Sequence, residues 1–122
     1  MDANSKKMEQ KLHIVKKQQE EIEDSLQRLR REQNEKAWLG EDVARVHQEE
    51  RESLHFLREV WQGAESRSFG YYLEDVQEKE QQLWHKKIQA NQEECQQKIT
   101  ASQKSMYQLE IQQQDLQKEL FQ

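Results

Sequence analysis

The chain of 122 residues has no proline, three glycines and one cysteine, and only 33% of it is hydrophobic. Its mean hydropathy of -1.32 leaves too little apolar material for an ordinary closed globular core. Such a chain is either disordered or buries one narrow stripe against something else. The missing proline decides between the two, because polar disordered segments usually keep proline, and Glu, Gln, Lys, Leu and Arg are good helix formers. The expectation is long, polar, amphipathic helices. The opening "MDANSKKMEQKLH" has no apolar signal-peptide core, and no window approaches the roughly 18 apolar residues of a membrane span. That predicts a cytoplasmic chain with no membrane insertion. Cys95, being single, forms no intrachain disulfide and reads as a small apolar residue on a helix seam.

Net charge is -5, and its distribution says more than its total. Residues 1–40 hold 9 basic and 8 acidic side chains, 41–80 hold 5 and 11, and 81–122 hold 5 and 5. The acidity is therefore concentrated in the middle third. A nucleic-acid groove or an anionic membrane face needs clustered positive charge, so both are disfavoured as partners.

Met8, Leu12, Val15, Ile22, Leu26 and Leu29 follow alternating steps of three and four, with Gln19 filling one gap. This is a helix seam facing other helices. The register blurs through Gln33, Lys36, Trp38, Leu39 and Gly40, then resumes as Val43, Val46, Leu54, Leu57 and Trp61, with Glu50 interrupting. A second seam reads Phe69, Leu73, Val76 and Leu83, then Ile88, Cys95, Ile99, Ser102, Met106, Leu109, Leu116 and Leu120. Glu80, Asn91 and Gln113 are its polar interruptions.

Two Trp-x-Gly tripeptides could host the turn, "WLG" at 38–40 and "WQG" at 61–63. A turn at Gly63 leaves arms of nearly equal length, whereas one at Gly40 strands half of the longer arm. The predicted fold is thus all-α, one long antiparallel two-helix hairpin over 1–122. Helix 1 covers about 5–60 with a weak point near Gly40, the turn about 61–67, and helix 2 about 68–120. Gly63 can end the first helix in a left-handed conformation, and Ser66 or Ser68 can cap the second. Gly70 falls in the first turn of helix 2, where a close backbone approach would justify it. Stripes broken by Gln19, Glu50, Glu80 and Gln113 make an isolated hairpin marginal, so a bundle completed by a second copy or by other chains is expected.

Catalysis finds no support in the pattern. His13, His47, His55 and His85 are scattered, with no His-Glu-x-x-His and no glycine-rich phosphate loop, so no cofactor, metal or enzyme activity is expected. Glu52 to His55 is one Glu-x-x-His, but a di-iron bundle needs a second copy and two more inward glutamates, and the pair reads as solvated surface. The aromatics are the strongest local signal, since Phe56, Trp61, Phe69, Tyr71 and Tyr72 crowd around the turn. They either close the hairpin end, Trp61 folding back on Phe69 or Tyr72, or form a recognition surface. The candidate partner-binding residues are Phe56, Phe69, Gly70, Tyr71, Tyr72, Leu73, Asp75 and Val76.

Two near-equal helices hinged on Trp61 and Gly63, in a polar chain without proline, resemble the WXG superfamily of type VII secretion. Its members build four-helix bundles from two hairpins. The Gln- and Glu-rich arms and the "VWQG" look most like the small helical partner proteins of LXG toxins in the type VIIb systems of Gram-positive bacteria. The resemblance implies a chaperone or targeting factor that binds the helical N-terminal LXG domain of a toxin, with a second small WXG-like protein, and presents the complex for export. Exported members carry Tyr-x-x-x-Asp/Glu beyond the second helix. Here Tyr71 to Asp75 lies at that helix's beginning and Tyr107 is followed by Ile111, which suits an accessory co-exported with a signal-bearing partner. The competing expectation is a self-associating structural coiled coil, such as a secretion-stalk or scaffold subunit and a homodimer when alone, in which Gln19, Asn91 and Gln113 set register between identical chains.

Overall fold

A computed structural model of the protein describes residues 2–61 and 63–121. Among them there is no strand, and two helices, α1 (Asp2–Val60) and α2 (Ala64–Leu120), pack against each other as an antiparallel hairpin. Helix propensity alone does not hold helices this long in water, so each depends on the face it buries against the other. No described helix is long and apolar enough to cross a membrane.

The turn is tighter than the sequence predicts. The Trp61 amide still donates to the Leu57 carbonyl at 2.8 Å, and the Arg67 amide donates to the Gly63 carbonyl at 3.0 Å. Only residues 61–63 therefore separate the helices, and α2 starts at Ala64 instead of about 68. Ser66 and Ser68 lie inside the helix and do not cap it. The reason is that Gly63 holds the capping position itself, since its carbonyl accepts the first intrahelical bond. Its φ of 138° belongs to a region that L side chains rarely adopt, so one glycine both reverses the chain and opens α2.

The expected weak point at Gly40 is absent, because α1 runs through it unbroken. A Cβ placed there would lie 3.4 Å from Ile88 Cγ2, so the glycine serves close packing between the helices.

Packing divides the hairpin into two units, Met1–Gln33 with Glu94–Gln122, and Asn34–Glu93. In the first unit the predicted seams are the packed faces. Val15, Leu26, Cys95 and Ile99 are buried, and Ile22 and Leu29 pack on the cluster of Leu26, Cys95 and Ile99. Cys95 is 1% exposed, and its thiol donates to the Leu29 carbonyl at 3.4 Å, so it is the small seam residue that its context predicts.

Polar seam positions in this unit pair with one another. Gln19 Nε2 donates to Gln113 Oε1 at 2.9 Å, and Gln33 Nε2 donates to Gln96 Oε1 at 2.8 Å. Gln19→Leu alone leaves Gln113 without its partner and is expected to cost about 1 kcal/mol. Changing Gln19 and Gln113 together to Leu replaces a hydrogen bond by apolar contact and is expected to raise the melting temperature above that of the parent. Thermal unfolding followed by circular dichroism of the two variants checks both signs.

The second unit has a different interior. Its buried side chains include His47 and Gln77, whose Nε2 donates to the His47 carbonyl at 2.9 Å. Gly70 is buried too, and Gly40, Val43, Leu54, Leu57, Leu73, Gln81 and Ile88 are partly covered. No buried side-chain polar atom among the described residues lacks a partner. Polar groups and glycines thus occupy inward positions where the first unit has Leu, Ile and Cys.

Candidate functional site

The seam predicted for the Asn34–Glu93 unit holds at Val43, Leu54 and Leu57 on α1 and at Leu73 and Ile88 on α2, which are partly covered, and fails at other positions. On α1 His47 is buried where the spacing places Val46, which is 46% exposed. On α2, Gly70, Leu73 and Gln77 face inward, whereas Phe69, Val76 and Leu83, all assigned to the seam by their spacing, are exposed. Beyond Gln77 the inward positions pass to Gln81 and Ile88, seven and fourteen residues after the half-buried Glu74.

Arg58 packs against α2 in this rotation. Its guanidinium donates to Glu74 Oε1 at 2.6 Å and lies 4.8 Å from the Tyr71 ring centroid. Its Cγ is 3.4 Å from where a Cβ of residue 70 would stand. The hydrogen bond and charge of Glu74, with a smaller contribution from Tyr71, hold this guanidinium above its usual pKa range. A Cβ at position 70 would meet this stem at an ordinary contact distance, so the arginine lies directly over the α2 backbone there. With Gly70, Tyr71 and Glu74 turned toward Arg58, Phe69 and Val76 are carried to the other flank.

That flank is apolar across both helices. In an antiparallel pair, the residues just before the inward positions of each helix share one side. On α1 these are Leu39, Val46, Ser53 and Val60, and on α2 they are Phe69 and Val76, continued by the exposed Leu83. Phe56 and Tyr72, three and four residues from their neighbours, widen the face. At the turn Trp61 packs on Phe69 with centroids 6.1 Å apart, and Phe69 stacks with Tyr72 at 6.5 Å. The aromatics therefore fold back on one another as one expectation held, yet all of them remain exposed, Tyr72 and Phe56 by 62% each.

The eight candidate partner-binding residues divide accordingly. Phe56, Phe69, Tyr72 and Val76 come together on the apolar flank. Gly70 and Leu73 face the interior and are not part of any exposed surface patch. Tyr71 lies against Arg58 on the opposite side. Asp75 is exposed and bridges Lys79 at 3.0 Å, one turn along its own helix. Val46, Val60 and Leu83 belong to the face and were missed, although their seven-residue spacings to Leu39 and Ser53, and to Val76, were visible.

The opposite flank carries an open groove of about 750 Å³. Ala44, His47, Arg51 and His55 line it from α1, and Gln77, Glu78, Gln81 and His85 from α2. It lies beside the polar inward positions His47, Gln77 and Gln81. Glu52 and His55 are both exposed, as their reading as solvated surface expects. His55 Nε2 lies 3.2 Å from Glu59, and Glu52 accepts from Gln48 at 3.4 Å.

No group of three or more His, Cys, Asp or Glu side chains among the described residues could hold a metal ion. The chain matches no family model, no curated protein and no solved structure.

Proposed function

We propose that the protein is a non-enzymatic binding partner for another helical protein, and that this partner is the helical N-terminal LXG domain of a toxin. The observation that carries the binding reading is the exposed apolar flank of the Asn34–Glu93 unit. Its four aromatics, Phe56, Trp61, Phe69 and Tyr72, leave roughly 400 Å² uncovered at their observed exposures. With five aliphatic side chains beside them, the face exceeds the few hundred Å² that monomeric proteins commonly leave bare. A periodicity of seven suits a helix laid along it. The choice of an LXG domain, with a second small WXG-like protein and co-export from the cytoplasm, rests on the resemblance of the Trp61 and Gly63 hinge.

A structural homodimer has less support. Gln19 and Gln113, which would set register between identical chains, are paired with each other inside one hairpin. Size-exclusion chromatography with light scattering, on the chain alone and mixed with an LXG domain from a neighbouring toxin gene, is the test. A stable complex is expected. A homodimer that ignores the LXG domain overturns the reading.

A further inference from the structure

The two flanks of the Asn34–Glu93 unit differ in charge as well as polarity. Along the apolar face run Asp42, Glu49, Glu52 and Glu65, spaced three, four or seven residues from Leu39, Val46, Phe56, Phe69 and Tyr72. Of the cations on this side, Arg45 pairs with Asp42 at 3.2 Å, Lys79 reaches Asp75 at 3.0 Å, and Lys87 lies over the Trp84 ring at 5.7 Å. No cation of the described residues pairs with Glu49, Glu52 or Glu65. Glu49 and Glu52 also border a shallow depression floored by Phe56 and Leu57, shaped to take a side chain from above. The groove side carries Arg51, Arg58 and Lys86 together with Glu74 and Glu78.

We infer that this acidic-rimmed flank is the docking surface for an amphipathic helix whose apolar stripe is bordered by Lys and Arg. The inference deepens the binding function proposed above and rests on it. A second copy of this chain is the poorer occupant, because two such faces would oppose Glu49, Glu52 and Glu65 to themselves, and like charges brought together destabilise. A basic-rimmed helix instead neutralises those carboxylates while covering Phe69, Tyr72 and Val76. The exposed apolar area approaches the roughly 800 Å² that one partner contributes to a standard interface.

The test uses two labelled synthetic helices of about four heptads, alike in a leucine stripe and different in rim, one Lys/Arg and the other Glu, titrated with the full chain by fluorescence anisotropy. The Lys/Arg helix is expected to bind at least tenfold more tightly, with the gap narrowing as salt rises from about 50 to 500 mM. Val76→Glu and, separately, Tyr72→Ser should each weaken it at least tenfold with helicity unchanged, since both sites are exposed, while Arg51→Glu in the groove leaves it unchanged. Equal affinity for both helices, no binding of either, or loss with Arg51→Glu alone overturns the inference. So does a homodimer that Val76→Glu dissociates. If an LXG domain fails to bind while the Lys/Arg helix binds, the toxin assignment falls and the docking surface stands. If the LXG domain binds Val76→Glu as well as the parent, the surface is wrong and the toxin assignment stands.

Discussion

A Leu26→Ala chain is expected to lose about 3 kcal/mol of stability, and a Leu83→Ala chain less than about 0.5 kcal/mol. The two leucines look alike in the sequence, each at a seam position of a heptad pattern. In the structure Leu26 is 8% exposed within the cluster of Cys95 and Ile99, and Leu83 is 67% exposed. Truncating the first removes apolar contacts and leaves a void between helices that can only partly close. Truncating the second removes atoms that water already reaches. Urea titrations of both variants, followed by helicity, measure the contrast. A Leu83→Ala loss as large as that of Leu26→Ala would mean that α2 packs through the Phe69, Val76 and Leu83 face, against the rotation that turns Gly70, Leu73 and Gln77 inward.

The second large effect is expected at the glycines, with opposite signs. Gly63→Ala forces a Cβ onto a backbone at φ 138° and should cost about 2 kcal/mol, even though nothing stands within 4 Å of the added carbon. Gly70→Ala should instead stabilise by about 0.5 kcal/mol, because the residue is helical and the atom its Cβ meets belongs to the flexible Arg58 stem. Steric crowding alone would predict the reverse order. Trp61→Ala, on the same turn, should cost only about 1 kcal/mol, since a tryptophan 41% exposed is far from the fully packed side chain whose loss would cost about 3. Melting temperatures of the three single variants decide. A Gly63→Ala chain as stable as the parent would remove the special role assigned to that residue.

The hairpin, its hinge at Gly63 and the packed faces of the first unit were legible because apolar residues fill the alternating three- and four-residue positions densely there. Met8 through Leu29 and Cys95 through Leu120 admit one phase only. Between residues 34 and 93 spacing places Val43, Leu54, Leu57, Leu73 and Ile88 correctly, but Val46, Phe69, Val76 and Leu83 fit it as well as His47, Gly70, Gln77 and Gln81 do and are more hydrophobic. The fold turns the second set inward, with Gln77 bonded to the His47 carbonyl and Arg58 bonded to Glu74. Contacts of that kind join residues far apart in sequence and leave no periodic trace. The error was informative, since the apolar residues displaced from the interior are the ones that form the exposed face.

The polar interior of the Asn34–Glu93 unit has a consequence for how the two helices stay together. An interface in which Gly40, His47, Gly70 and Gln77 interrupt Val43, Leu54, Leu57, Leu73 and Ile88 is less cohesive than an all-apolar seam, and the groove beside it removes further contact. Much of the oily surface that would ordinarily glue such a pair is displayed on its outside. A partner helix seated there as proposed would touch both α1 and α2 at once and act as a clamp across the hairpin, so that its attachment and the consolidation of this unit would be one event.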